Sequence, residues 1–250
     1  MNKITETNKL EHPCFPQPED TSVSVWRYMD LAKFIWLLEN KALYLPRIDL
    51  LNDPHEGSIT RANYQAREEF YSQKGLAHIL PGLSESTNKL RKSVYVNCWH
   101  LNNEESEAMW KLYCGDKDGI AIKTSYQTLV DSIENISDLY IGKVSYINYE
   151  NDWIPQDNIF SIPMHKRLSY SFENEVRLVR TLPEYWHVDS PEGPVGITAK
   201  WDINKGVHEI FVNPYADEWY FHIVEVVISK IYPEILTKLH WSKMKSTPMY

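Results

Sequence analysis

The sequence predicts an α+β fold, a single domain with a mixed, mostly antiparallel sheet and peripheral helices. Three observations point there. Short stretches of alternating apolar and polar residues interleave with helical stretches along the whole chain. The nine glycines sit at turns and build neither a G-x-G-x-x-G motif nor a phosphate loop. No internal repeat and no linker divides the 250 residues, a length that suits one sizeable domain. The expected layout is an irregular N-terminal arm, residues 1–22, followed by the domain, residues 23–250.

The elements follow in order. The arm carries Pro13, Pro16 and Pro18 among polar residues. Val23 to Tyr28 alternates loosely and reads as a strand. Asp30 caps a helix to about Asn40, with Leu31, Phe34, Ile35 and Leu38 on one face. Leu43 to Leu45 is a short strand stopped by Pro46. Asn52 to Gly57 is dense in turn formers. Thr60 to Ser72 is helical, with Gly75 past its end. Leu76 to Ser93 reads as a long loop or a short exposed helix, and as a candidate lid. Ser93 to Trp99 is a central strand. Asn103 or Ser106 opens a helix that ends at Gly115. Ile120 to Lys123 is a strand, and Ser125 caps a helix through Ile133. Tyr140 to Ile147 is a strand, and Asn158 to Leu168 reads as helical despite Pro163. Phe172 to Val179 begins as a turn and ends as a strand. Gly196 to Trp201 and Val207 to Val212 are strands, Ala216 to Tyr232 is a helix, and Lys238 to Met244 is a last edge strand.

Composition narrows the function classes. A hydrophobic share of 43% and a charged share of 24% are ordinary for a globular protein. The net charge of −8 lacks the basic footprint of a general nucleic-acid binder. Local basic surface from Lys89, Arg91 and Lys92, or from Lys238, His240, Lys243 and Lys245, stays open. Nine Trp and sixteen Tyr can fill a core or line a pocket for flat ligands. Cys14, Cys98 and Cys114 form no CxxC, and their odd number suits a reducing, cytoplasmic setting. Residues 1–17 lack an apolar signal segment, and no run reaches the length of a membrane span.

Chemistry concentrates in Phe172 to Val179. Strand alternation places Glu173, Glu175 and Arg177 on one face and Val176 and Leu178 on the other. Such a charged face suits either a reactive site or a structural ion pair. As chemistry, an E-x-E pair can stabilise positive charge developing on a sugar while its neighbour orients a nucleophile. Rival signals are weak. Cys98 reads as a buried thiol, no serine has a nucleophile-elbow context, and no histidine pair has zinc spacing. Asp53, His55 and Glu56 could hold a metal ion, although such a loop usually bonds to itself.

Several segments resemble the bacterial domain of unknown function 2971 family. They are Trp26-Arg27-Tyr28, Leu38 to Tyr44, Leu51 to Glu56, Cys98-Trp99, Met109 to Tyr113, Gly119 to Ile122 and Glu173 to Arg177. More distantly, the layout resembles ADP-ribosyltransferases, especially DarT-like nucleic-acid-modifying toxins. The resemblance implies an ADP-ribosyltransferase-like fold with NAD as substrate. It implies that Arg27 anchors the NAD diphosphate or ribose, and that Tyr28 or Trp99 stacks on nicotinamide or adenine. Asn52 and Asp53 would belong to the same cofactor site. Glu175 would hold the nicotinamide ribose and stabilise its cation, and Glu173 would position the acceptor. The acceptor would be nucleic acid or protein, and a toxin or defence effector of this kind would have an antitoxin or inhibitor protein as partner. The sequence departs from that pattern: Val96-Asn97-Cys98 stands where a Ser-Thr-Ser strand is expected, and no Asn-Cys-Pro run occurs. Two alternatives stand beside it. One is a non-catalytic binding or sensing module whose charged strand is an ion network. The other is a metal-dependent nuclease-like effector using Asp53, His55, Glu56 and Glu175.

Overall fold

The computed structural model describes residues 12–115, 117–134, 138–247 and 249. The coarse class is α+β, a mixed sheet with helices. In chain order the elements are β1 (Ser24–Asp30), α1 (Leu31–Asn40), β2 (Ala42–Pro46), α2 (Arg61–Gln73), α3 (Leu80–Arg91) and β3 (Val94–Leu101). There follow α4 (Glu107–Cys114), β4 (Gly119–Ser125), α5 (Tyr126–Asp131), β5 (Leu139–Lys143), β6 (Ser145–Ile147), β7 (His165–Arg167) and β8 (Glu175–Thr181). The last are β9 (Gly196–Lys200), α6 (Ile203–Gly206), β10 (Glu209–Val212), α7 (Glu218–Ile231) and β11 (Leu239–Trp241).

Caps explain where the helices begin. Asp30 accepts from the Lys33 N–H at α1, Thr60 from Asn63 at α2, Ser106 from Met109 at α4 and Ser125 from Thr128 at α5. Each cap satisfies a backbone donor that the first helical turn leaves open.

The chain divides into two compact units. One comprises Pro18–Tyr44, Cys98 to about residue 136, and Thr198 to the C-terminus. Its strands run in the order β11-β10-β4-β1, with the second half of β3 beside β1. The β1–β4 register is antiparallel from Ser24↔Ser125 to Asp30↔Gly119, whereas β10 and β11 run parallel, so the sheet is mixed. Its core packs Trp26, Tyr28, Met109, Trp110, Cys114, Ala121 and Phe211 together. Burial pushes the Cys114 thiol up to about 12.

The other unit comprises the chain up to Gln17, Leu45–Asn97, and the stretch that ends at Ile197. It holds α2, α3 and the β8–β5 antiparallel pair, with the first half of β3 beside β8. Residues 12–17 of the expected arm are packed: Phe15 stacks on Tyr140 at 5.1 Å, and the Lys143 N–H donates to the Pro16 carbonyl. Gly142 allows this approach, because a Cβ there would come within 2.7 Å of the Phe15 backbone. Residues 1–11 of the arm lie outside the described residues.

One expectation is corrected. Residues 158–168 do not form a helix. Instead a short 3-10 turn, Ile162–Met164, leads into β7, which pairs in parallel with β6. Pro163 removes a backbone donor, and the parallel partner offers the pairing that a helix would have supplied locally. Of the two alternatives for Leu76–Ser93, the structure shows the exposed helix: the region is mostly α3, and no residue of α3 is buried.

Candidate functional site

Arg167 ends β7, and the next six residues, Leu168–Glu173, form a 3-10 turn. Asn174 then adopts a left-handed backbone, φ 37°, and β8 starts at Glu175. Asparagine tolerates this conformation better than most residues, and it lets the chain reverse within one position. Glu173 and Glu175 consequently approach one ammonium, that of Lys166 on β7.

The cluster that results is buried. It contains Glu56, Glu173 and Glu175 with Lys166 and Arg177. Lys166 Nζ lies 3.0 Å from Glu56 Oε1 and 3.4 Å from Glu175 Oε2, and it also bonds Glu173. Arg177 Nε donates to Glu175 Oε1 at 2.6 Å and Nη2 to Oε2 at 3.0 Å, a fork on one carboxylate. The same guanidinium donates to both Glu56 oxygens, at 3.1 and 3.2 Å, and to the Pro163 carbonyl at 2.6 Å. Burial alone would push the Lys166 ammonium down. The carboxylates of Glu175, Glu56 and Glu173 outweigh it and hold Lys166 above the ordinary lysine range. Burial, reinforced by Glu175, raises Tyr146, whose hydroxyl accepts the Glu175 N–H. The Glu175 residue is 4% exposed. Beside the cluster, the half-buried Tyr170 ring lies 4.9 Å from Lys166 Nζ and stacks beside the exposed Phe172 at 6.4 Å.

Asp53 belongs to the same unit but pairs differently. Its carboxylate receives Arg167 Nη2 at 2.6 Å and Nε at 3.1 Å, and it caps the turn through the His55 N–H. Asn52 is exposed. With Asp53 on Arg167, and Glu56 and Glu175 on Arg177 and Lys166, the acids of the nuclease-like alternative are engaged by cations. Among the described residues no group of three His, Cys, Asp or Glu is placed to hold a metal ion.

Arg27, Tyr28 and Trp99 lie in the other unit. Arg27 donates to the Cys98 carbonyl at 2.8 Å, and its guanidinium lies 6.0 Å from the Trp99 ring centroid. Tyr28 is buried, with its ring against the edge of Trp110 and its hydroxyl accepting the Ser106 N–H. Trp99 is buried with its ring edge-on to Trp201. Both rings fill core rather than a surface open to a ligand.

The structure therefore joins Glu175 and Arg177 as strand alternation predicts, brings Glu173 to the same cluster through the turn before β8 rather than by alternation, and adds Lys166 and Glu56. Lys166 was missed because it sits in the stretch read as helix, where a lone Lys looks like solvated surface. Several basic residues noted in the sequence are also engaged. Lys89 donates to the Ser190 carbonyl, Lys92 pairs with Glu192, and Lys238 donates to the Asn204 and Val207 carbonyls. No family model matches the chain, and neither a curated protein nor a solved structure matches it.

Proposed function

We propose that the chain acts by binding, as a module whose charged strand is an internal ion network. The observation that carries this reading is the occupancy of Glu175: both of its carboxylate oxygens are held by Arg177, one is shared with Lys166, and the residue is buried. A carboxylate held that way is poorly placed to meet a substrate. The network instead steadies the turn that follows β7, which presents Leu168 and Phe172 at 56% and 49% exposure. That apolar turn is the contact surface of this reading, and a flat or apolar group is its ligand class. Anilinonaphthalene sulfonate is a suitable probe. Saturable binding is expected, weakened about tenfold by Phe172→Ala, in line with the ~1–3 kcal/mol of a stacked ring. Equal binding by the variant would remove the surface from consideration.

The second reading is NAD-dependent ADP-ribosyl transfer to a nucleic acid or protein acceptor, in a toxin or defence role. It is favoured by the count within the cluster, three carboxylates against two cations. Surplus negative charge would suit a ribosyl cation, with Glu175 stabilising it and Glu173 positioning the acceptor. One assay separates the two readings. Wild-type protein is incubated with labelled NAD and cell extract, and nicotinamide release and label transfer are followed. The binding reading expects no release above the protein-free control. Release that disappears in Glu175→Gln, together with growth inhibition relieved by Glu175→Ala, would replace it with the transferase reading.

A further inference from the structure

We infer that His12 is a proton-operated latch, which holds residues 12–17 of the arm on the outer edge of β5 and lets them go when its ring is charged. The segment it holds is lightly anchored. Among residues 12–17 only Phe15 is buried. Its ring packs on Tyr140 of β5 and on Phe160, and those two rings also meet each other, with centroids 4.7 Å apart. Along the edge, the Lys143 N–H donates to the Pro16 carbonyl and the Gln17 amide to the Ile141 carbonyl, each at 2.8 Å. Pro13 and Pro16 have no N–H and add no donor of their own. β5 lies at the end of the strand order, beyond β8, so release of the arm bares a sheet edge.

The His12 ring closes this packing. It meets Phe15, Tyr140 and Phe160 edge to face, at 5.2 to 5.3 Å. Its Nδ1 accepts the Cys14 N–H at 3.2 Å. The hydrogen of the neutral ring then sits on Nε2, 3.4 Å from the Asn158 amide. A second proton has only Nδ1 to bind. There it faces the Cys14 N–H, a backbone donor that cannot turn over as a side-chain amide can. Charging the ring thus replaces a hydrogen bond with two opposed donors, among aromatic rings. On the elements around the ring, the titratable groups nearest in sequence to its contacts are Cys14 on the arm, Tyr140 and Lys143 on β5, and the exposed Asp157. His165 on β7 bonds the Ser161 carbonyl. Burial lowers the His12 pKa, and no carboxylate offsets it. Once released, the ring regains the ordinary value of 6.5. Release therefore takes up a proton: the latch is closed above that pH and opens as pH falls below it.

The test is amide hydrogen exchange of the full chain, read at Lys143, whose N–H the arm covers, and at the amides of β8. Protection factors take out the intrinsic pH dependence of exchange. Uptake of one proton by a group of ordinary pKa lowers Lys143 protection about tenfold between about pH 7.5 and about pH 5.5. The β8 amides are expected to lose less, because the arm leaves without the sheet opening. His12→Phe keeps a ring among the other three but cannot titrate, and its Lys143 protection is expected to be the same at both pH values. Phe15→Ala removes the anchor and is expected to leave Lys143 poorly protected at both, with the fold intact by circular dichroism. Unchanged Lys143 protection in wild type, as when the aromatic rings hold the imidazolium, overturns the inference. So does an equal fall in His12→Phe, or a fall no larger than that of the β8 amides. Wild-type protection of Lys143 in Phe15→Ala would show that the arm is not what covers this edge.

Discussion

Arg177 has five N–H donors, and the buried cluster uses all five: two on Glu175, two on Glu56 and one on the Pro163 carbonyl. Lys166 likewise donates to Glu173 and Glu175 and forms an ion pair with Glu56. Satisfied in this way, a buried ion network adds little net stability over an apolar core, because desolvation offsets the Coulomb gain. Removing one member is a different matter, since its partners stay buried. Arg177→Met is expected to lower unfolding free energy by about 3–5 kcal/mol, measured by denaturant titration. Arg177→Lys should cost less, because it keeps the charge but loses the planar fork. A midpoint for Arg177→Met indistinguishable from wild type would show that the network is not what holds β8.

At the scale of elements, α2 and α3 stand apart. Asn63 is the one buried residue of α2, and α3 has none. Asn63 is fixed by its own bonds: Oδ1 accepts from the Ile154 N–H and the Thr60 hydroxyl, and Nδ2 donates to the Ile154 carbonyl. One polar side chain therefore does for α2 what an apolar stripe does for most helices. Asn63→Ala leaves the Ile154 N–H and carbonyl without these partners and is expected to cost about 2–4 kcal/mol, from ~1–3 per buried group lost. Hydrogen exchange should show the reason. Amides of α2 and α3 are expected to exchange faster than those of β4 and β8, and Asn63→Ala to accelerate α2 further. Protection in α3 equal to that in β4 would contradict the picture of weakly anchored helices.

Over the whole molecule, stability should fall on mild acidification. Burial lowers the folded-state pKa of His12, and burial followed by Lys238 lowers that of His208, from the ordinary 6.5. His12 is enclosed by Phe15, Tyr140 and Phe160, and its Nδ1 accepts the Cys14 N–H. Between the lowered pKa and 6.5 the unfolded chain binds more protons than the folded one, so stability drops as pH falls below about 6.5. Above that the contribution is complete. The unfolding midpoint is expected to be lower at about pH 5.5 than at about pH 7.5, with part of the difference removed in His12→Phe. Equal midpoints would refute this. Carboxylates held low, such as Asp30 by Lys33 despite partial burial, add their own loss only near and below the usual carboxylate range.

The sequence by itself determined what local chemistry controls. Asp30, Thr60, Ser106 and Ser125 open the helices expected of them, because a cap acts within three residues. The pairing of Glu175 with Arg177 was legible for the same reason, since alternation in a strand is local, whereas Glu173 joins the cluster from the turn before the strand. Tertiary structure decided the rest. It made β7 from a stretch that reads as helix, through a parallel partner some twenty residues earlier. It brought Glu56 and Lys166 to Arg177, and it closed Tyr28 and Trp99 into a core. A parallel pairing and a buried ion network depend on groups distant along the chain, and no periodicity within either segment encodes where the other will lie.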